Sequence, residues 1–203
     1  MKRKIKKNSI IGPIILLLMN MFTGNGVSMF HAMDTEFAPN EFTLDDLKIF
    51  DSKLGLFLHL GMSEEEITKI YGKADETDMF GNQVYEGLQI LYRDQIAVKF
   101  SFSASNNLTS RFKTFRQIGL GDTQEKVLAN YGKNDVYTSD LYGATHIQYE
   151  FWSDGEQMII PDDKEDVFWR IENSDKHYFI SFTSDPNVLY VLIGDAKSVH
   201  GGK

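Results

Sequence analysis

The 203-residue chain contains no cysteine. That excludes disulfides, thiol catalysis, zinc–thiolate sites and a lipid-modified N-terminal cysteine. Positive charge is scarce: 21 Lys and Arg stand against 29 Asp and Glu, a formal charge of −8. Nonspecific nucleic-acid binding needs a basic footprint, so it is excluded. Several catalytic and ligand-binding signatures are missing as well. The five histidines never fall in an HExxH spacing, and there is no GxSxG, GxGxxG, P-loop or ordered EF-hand loop. What is present is an ordinary globular composition, 42% apolar and rich in aromatic residues at 13%. It can build the core of one domain, or of two with about 80–100 residues each.

Lys2, Arg3, Lys4, Lys6 and Lys7 precede an apolar stretch of 13 residues, 10–22, and small residues follow at Gly24, Gly26 and Ser28. The stretch falls short of the roughly 20 residues of a spanning helix and has the pattern of an export signal. Residues 1–28 are therefore expected as a signal peptide cleaved after Ser28. The mature protein is then secreted or held at the extracellular face of the cell envelope. The alternative is an uncleaved anchor running to about Phe30, the one case in which the chain would touch a membrane. Cleavage removes five cations and no acid, leaving a charge of −13.

Two segments align without gaps at an offset of 60, LGMSEEEITKIYGKAD from Leu60 and LGDTQEKVLANYGKND from Leu120, with seven of sixteen positions identical. Average composition gives about one identity by chance, so a duplicated unit is indicated. Each copy reads as a short capped helix. Ser63 with Glu66, and Asp122 with Glu125, are candidate N-terminal boxes; Gly72 and Gly132 are candidate C-terminal caps. Period-2 alternation predicts strands at 88–93, 96–102 and 108–115, then at 144–152, 167–173, 177–183 and 187–193. Ser101-Phe102-Ser103 is matched with Ser181-Phe182-Thr183, which gives the second copy about 20 extra residues. The expected organisation is a flexible segment 29–41, a first unit 42–116, a second unit 117–194 with an insert near 154–166, and a flexible tail 195–203.

The helix motif with the strands ending in SFSASNNLT resembles the β-lactamase-inhibitor-protein-like fold, shared by outer-membrane assembly lipoproteins of the SmpA/OmlA type. The resemblance covers about residues 42–194. It implies an α+β fold of two tandem helix-plus-antiparallel-sheet units that form one continuous curved sheet. It also implies a binding protein rather than an enzyme, with no catalytic residue, metal or cofactor to carry over.

Strand parity points to a candidate surface. If Ile147, Tyr149, Phe151, Val167, Trp169, Ile171, Tyr178, Ile180 and Phe182 face inward, the opposite face carries His146, Trp152, Phe168, Arg170, Phe179 and Tyr190. Lys99, Arg111 and Lys113 extend it into the first unit. Aromatic rings with arginine on an open sheet have the composition of a protein-binding surface. Trp152, Phe168, Arg170, Phe179 and Tyr190 are thus expected to engage a protein partner. Other readings stay open. A secreted or cell-wall enzyme could use acidic residues, with Asp154, Glu156, Asp162, Asp163, Glu165 and Asp166 offering oxygen ligands to calcium. His146 and His177 could share a site. An uncleaved N-terminal helix would make the chain a structural component of the envelope.

Overall fold

The computed structural model describes residues 37–104, 111–133, 137–141, 143–153, 158–159 and 176–199. The expected signal peptide at 1–28 and, apart from 158–159, the expected insert near 154–166 lie outside the described residues, as do Phe168 and Arg170. In chain order, a 3-10 turn at Leu44–Leu47 leads into β1 (Lys48–Asp51), β2 (Leu56–His59) and α1 (Glu64–Tyr71). Next come β3 (Glu76–Thr77), β4 (Gln83–Tyr85), β5 (Leu88–Arg93), β6 (Ile96–Ser103), β7 (Phe112–Thr114) and α2 (Gln124–Tyr131). Then follow β8 (Tyr137–Leu141), β9 (Ala144–Ser153), β10 (Met158–Ile159), β11 (His177–Ser184), β12 (Val188–Asp195) and α3 (Ala196–Val199).

The fold is α+β, and its strand pairings are antiparallel. A three-stranded sheet has the order β2-β1-β7; a nine-stranded sheet has the order β10-β9-β11-β12-β6-β5-β4-β3, with β8 also pairing β9. Its inner face supplies Phe100, Phe102, Ile147, Tyr149, Phe151, Ile180 and Phe182. These join Ile67 of α1, Val127 and Tyr131 of α2, and Ile49, Leu58 and Phe112 of the small sheet in one buried cluster.

Both repeat helices form where the motif places them. Ser63 closes a capping box: its Oγ accepts from Glu66 N at 3.2 Å and its own N–H donates to Glu66 Oε2 at 2.8 Å. Glu64, Glu65 and Glu66 then sit in the first turn, where the helix dipole favours acids. The second helix differs from expectation. Thr123 is its cap, accepting from Lys126 N at 3.2 Å. Asp122 accepts instead from Gly119 N and from Lys126 Nζ, both at 2.8 Å.

A shared hydrogen-bond pattern joins each helix start to a strand. Gly61 N donates to Ala97 O at 2.9 Å and Ala97 N to Met62 O at 2.8 Å. Gly121 N donates to Val188 O at 2.9 Å and Val188 N to Asp122 O at 2.8 Å. Ala97 therefore corresponds to Val188, and β6 to β12, the two strands that pair at the centre of the large sheet. This corrects the match of 101–103 with 181–183, because the correspondence places 192–194 there. The offset between Ala97 and Val188 is 91, against 60 between the helices, a difference of 31 residues rather than about 20. The tail assignment also changes, since Asp195 ends β12 and α3 follows it.

A buried ion pair fastens the N-terminal segment to this frame. The Arg116 and Asp46 side chains are 3% and 1% exposed. Arg116 Nε and Nη2 reach Asp46 Oδ1 and Oδ2 at 2.6 and 2.9 Å. Nη1 donates to Ala38 O at 3.1 Å and Asn130 O at 2.7 Å, and Nη2 also donates to Glu41 O. The guanidinium lies 5.0 Å from the Phe42 ring centre and 4.9 Å from that of Tyr131.

Gly72 and Gly132 close the helices at φ 80° and 95° with ψ −156° and −176°, a region almost reserved for glycine. Their surroundings differ. A Cβ on Gly72 would meet nothing within 4 Å, whereas one on Gly132 would run into the Asn40 side chain. Gly72→Ala should cost about 1 kcal/mol from backbone strain. Gly132→Ala should cost visibly more, because Asn40 must move. Urea denaturation of both variants checks the order; equal losses would show that the Asn40 contact carries no weight.

Candidate interaction surface

The sequence KIFD of β1 alternates Ile49 and Asp51 inward with Lys48 and Phe50 outward. On β2, Leu58 is inward and Phe57 and His59 are outward; on β7, Phe112 and Thr114 are inward and Lys113 is outward. Register then gathers the outward set, with Phe50 opposite both Phe57 and Lys113, and Lys48 opposite His59. Just past β7, Phe115 N donates to Lys48 O at 3.2 Å, which seats its ring beside the others.

Four rings touch in series. Phe50 and Phe57 are 5.0 Å apart, Phe57 and Phe115 5.9 Å, and Phe115 and Phe37 5.7 Å. Phe57 is 41% exposed and the other three are half-buried. Cationic or titratable side chains flank the rings. Lys48 holds Asp45 at 2.5 Å, His59 Nδ1 lies 2.8 Å from Leu60 O, and Lys113 is partly exposed.

The hairpin is held rigid from beneath. Asp51 is fully buried and receives Arg111 Nε and Nη2 at 2.9 and 2.7 Å, Tyr71 Oη at 2.7 Å, and the backbone N–H groups of Lys53 and Leu54 at 2.9 and 3.2 Å. Burial pushes the Asp51 carboxyl up, but the hydrogen bonds from Arg111 and Tyr71 outweigh it and hold it below the usual carboxylate value. The Tyr71 hydroxyl is driven well above its ordinary value, first by burial and then by its bond to Asp51. Arg111 also pairs with Glu86, which Lys53 Nζ reaches at 2.9 Å. Arg111 therefore braces the hairpin rather than extending an open face.

The face expected from parity is correctly sided but not open. Trp152, Phe179 and Tyr190 do lie opposite the core-facing residues, yet Trp152 is 6% and Phe179 2% exposed, and Tyr190 is half-buried. The Trp152 indole stacks on the His177 imidazole at 4.0 Å, and Phe179 lies 4.6 Å from that ring. His177 Nε2 is 2.5 Å from Glu150 Oε1. Part of the cover comes from α3. Ser198 Oγ donates to Val98 O at 3.2 Å, and a Cβ on Gly194, the partner of Phe179, would lie 2.9 Å from Ser198 Oγ. Burial raises the Tyr190 hydroxyl, and a hydrogen bond with Ser101 offsets part of the rise.

The histidines do not meet. His146 pairs with Thr183 and His177 with Trp152, six positions along β9 and about 20 Å at strand rise. Among the described residues, no group of three His, Cys, Asp or Glu is placed to hold a metal ion. Also among them, no helix is long and apolar enough to cross a membrane. The alternation in residues 48–51 and 56–59 around Gly55 was the signal for the small sheet.

No family model matches the sequence, and no curated protein matches it. A solved structure with some likeness is a cysteine-rich secretory protein from Staphylococcus aureus subsp. aureus Mu50, at a TM-score of 0.38 and 14% identity over 69% of this chain. The match spans 46% of that protein's length. The likeness is loose.

Burial separates the two aromatic sets by stability. Trp152→Ala and Phe179→Ala should each cost about 3–5 kcal/mol, as core aromatics do. Phe57→Ala should change stability by about 1 kcal/mol or less. Thermal melts of the three variants check this; a near-native melt for Trp152→Ala would return that ring to the surface.

Proposed function

We propose that this chain is an exported, non-enzymatic binding protein that engages another protein through the outer face of its three-stranded sheet. The observation that carries the reading is the run of four touching rings, Phe37, Phe115, Phe57 and Phe50, flanked by Lys48, His59 and Lys113. Aromatic anchors inside a polar rim are what protein interfaces are built from. The backing is rigid, because Asp51 fixes the hairpin before any partner arrives, so little ordering is left to be done on contact. The frame behind it is a duplicated one, with two tandem helix-and-strand units sharing a curved sheet. The repeated helix motif and the recurring bonds at Gly61 and Gly121 support that reading. Export follows from the basic start and short apolar stretch of the N-terminus.

The test is affinity capture from culture supernatant and cell envelope, with bound proteins quantified by mass spectrometry. Phe57→Ala and Lys113→Glu should melt like the parent chain and lose about 2 kcal/mol of binding to whatever the parent retains. Unchanged capture by both variants would remove this face from the mechanism.

A further inference from the structure

Met79 and Phe80 are 88% and 76% exposed, the most exposed large apolar side chains among the described residues. The loop that carries them, between β3 and β4, is held by its own bonds. Asp78 Oδ1 accepts from Phe80 N and Asn82 N, both at 2.9 Å, and Oδ2 accepts from Asn82 Nδ2 at 2.7 Å. Asp78 N donates to Asn82 O at 2.9 Å, and Gly81 N to Asp78 O at 3.0 Å, with Gly81 at φ 83°. Asn82 is buried at the foot of the loop. The backbone is thereby fixed on both sides of Met79, and its thioether stays in water.

Sulfur chemistry in this chain belongs to methionine alone, because there is no cysteine. The other two described methionines are shielded. Met62 is partly buried against the core, and its Sδ accepts from His59 N at 3.5 Å. Met158 is packed against the same core. A thioether reacts with peroxides through its sulfur lone pairs, so solvent access ranks the three. Met79 comes first.

We propose that Met79 is the oxidant-reactive site of this protein, the thioether that hydrogen peroxide converts to a sulfoxide ahead of Met62 and Met158. The sulfur attacks one peroxide oxygen, and the S–O bond forms as the O–O bond breaks. The departing hydroxide takes the proton of the transferred oxygen and leaves as water. Sulfur loses two electrons and the peroxide gains them. Asp75, Glu76 and Asp78 precede Met79 on the same stretch of chain. Their negative field repels anionic oxidants, which favours a neutral peroxide at the sulfur.

The product carries a polar, chiral S=O group in place of an apolar one, and methionine sulfoxide reductases can reverse the change. Met79 is not part of the buried cluster, so the fold persists while the loop becomes more polar. A chain without thiols thus carries a reversible oxidation site on its surface.

The test treats the full chain and Met79→Leu, which keeps an apolar side chain but lacks the sulfur, with dilute hydrogen peroxide. Peptide mass spectrometry then follows the gain of one oxygen with time. Met79 should oxidise several-fold faster than Met62 or Met158. The treated parent should elute earlier from a hydrophobic-interaction column, and both methionine sulfoxide reductases together should restore its position. Met79→Leu should shift less under the same exposure, and the melting curve of the singly oxidised parent should match that of the untreated chain. Oxidation of Met62 or Met158 as fast as that of Met79, or a column shift in Met79→Leu as large as the parent's, would overturn the proposal.

Discussion

The Arg116 guanidinium has five N–H donors, and five acceptors meet them: two oxygens of Asp46 and the carbonyls of Ala38, Glu41 and Asn130. Those acceptors come from the segment before the 3-10 turn, from the turn itself and from the end of α2. One side chain therefore ties the small sheet's lead-in to a helix on the large sheet. A charge this buried is tolerable only when every donor is used. Removing either partner of such a pair costs about 3–5 kcal/mol, through the ion left behind. The rings around it depend on the same geometry. Phe42 stacks on Phe151 at 5.2 Å and packs near Tyr131 and Tyr149, so the pair fixes where one sheet rests on the other.

A smaller network repeats this logic in the small sheet. Asp51 is buried beneath Phe50 and satisfied by Arg111, Tyr71 and two backbone N–H groups. Its inward anchoring and the outward display of Phe50 and Phe57 are two faces of one alternation. Neither could change parity without exposing the ion pair and burying Lys48.

Much of the frame was legible in the sequence because the signals were local. The caps at Ser63, Gly72 and Gly132, both helices and the sidedness of β9 and β11 follow from spacing alone. What spacing does not encode is what lies over a face. Trp152 and Phe179 have the parity of surface residues, yet α3, four residues too short to show a period, folds back over Gly194 beside them. The match between the two strand sets went astray for a related reason. Ser-Phe-Ser and Ser-Phe-Thr are alike in type, but the correspondence is set by backbone bonds to Gly61 and Gly121, which side-chain patterns do not reveal. The ring face was written in the alternation around Gly55, in a segment with no repeat to draw attention to it.

The central seam of the large sheet has a consequence for the order of assembly. β6 ends at Ser103, but its neighbour β12 does not begin until Val188, so the seam joins strands more than 80 residues apart. The first hairpins can zip locally, while closing a loop of that length is slow. Until the C-terminal strand arrives, β6 presents an unpaired edge with Phe100 and Phe102 beside it, a template for pairing with other chains. The last residues of β12 then act as a clasp: Asp195 takes Arg93 from the far side of β6 and also receives Ser198 N at 2.7 Å. A chain halted before Val188 would lack every partner of that edge, leaving β6 open to pair with other chains.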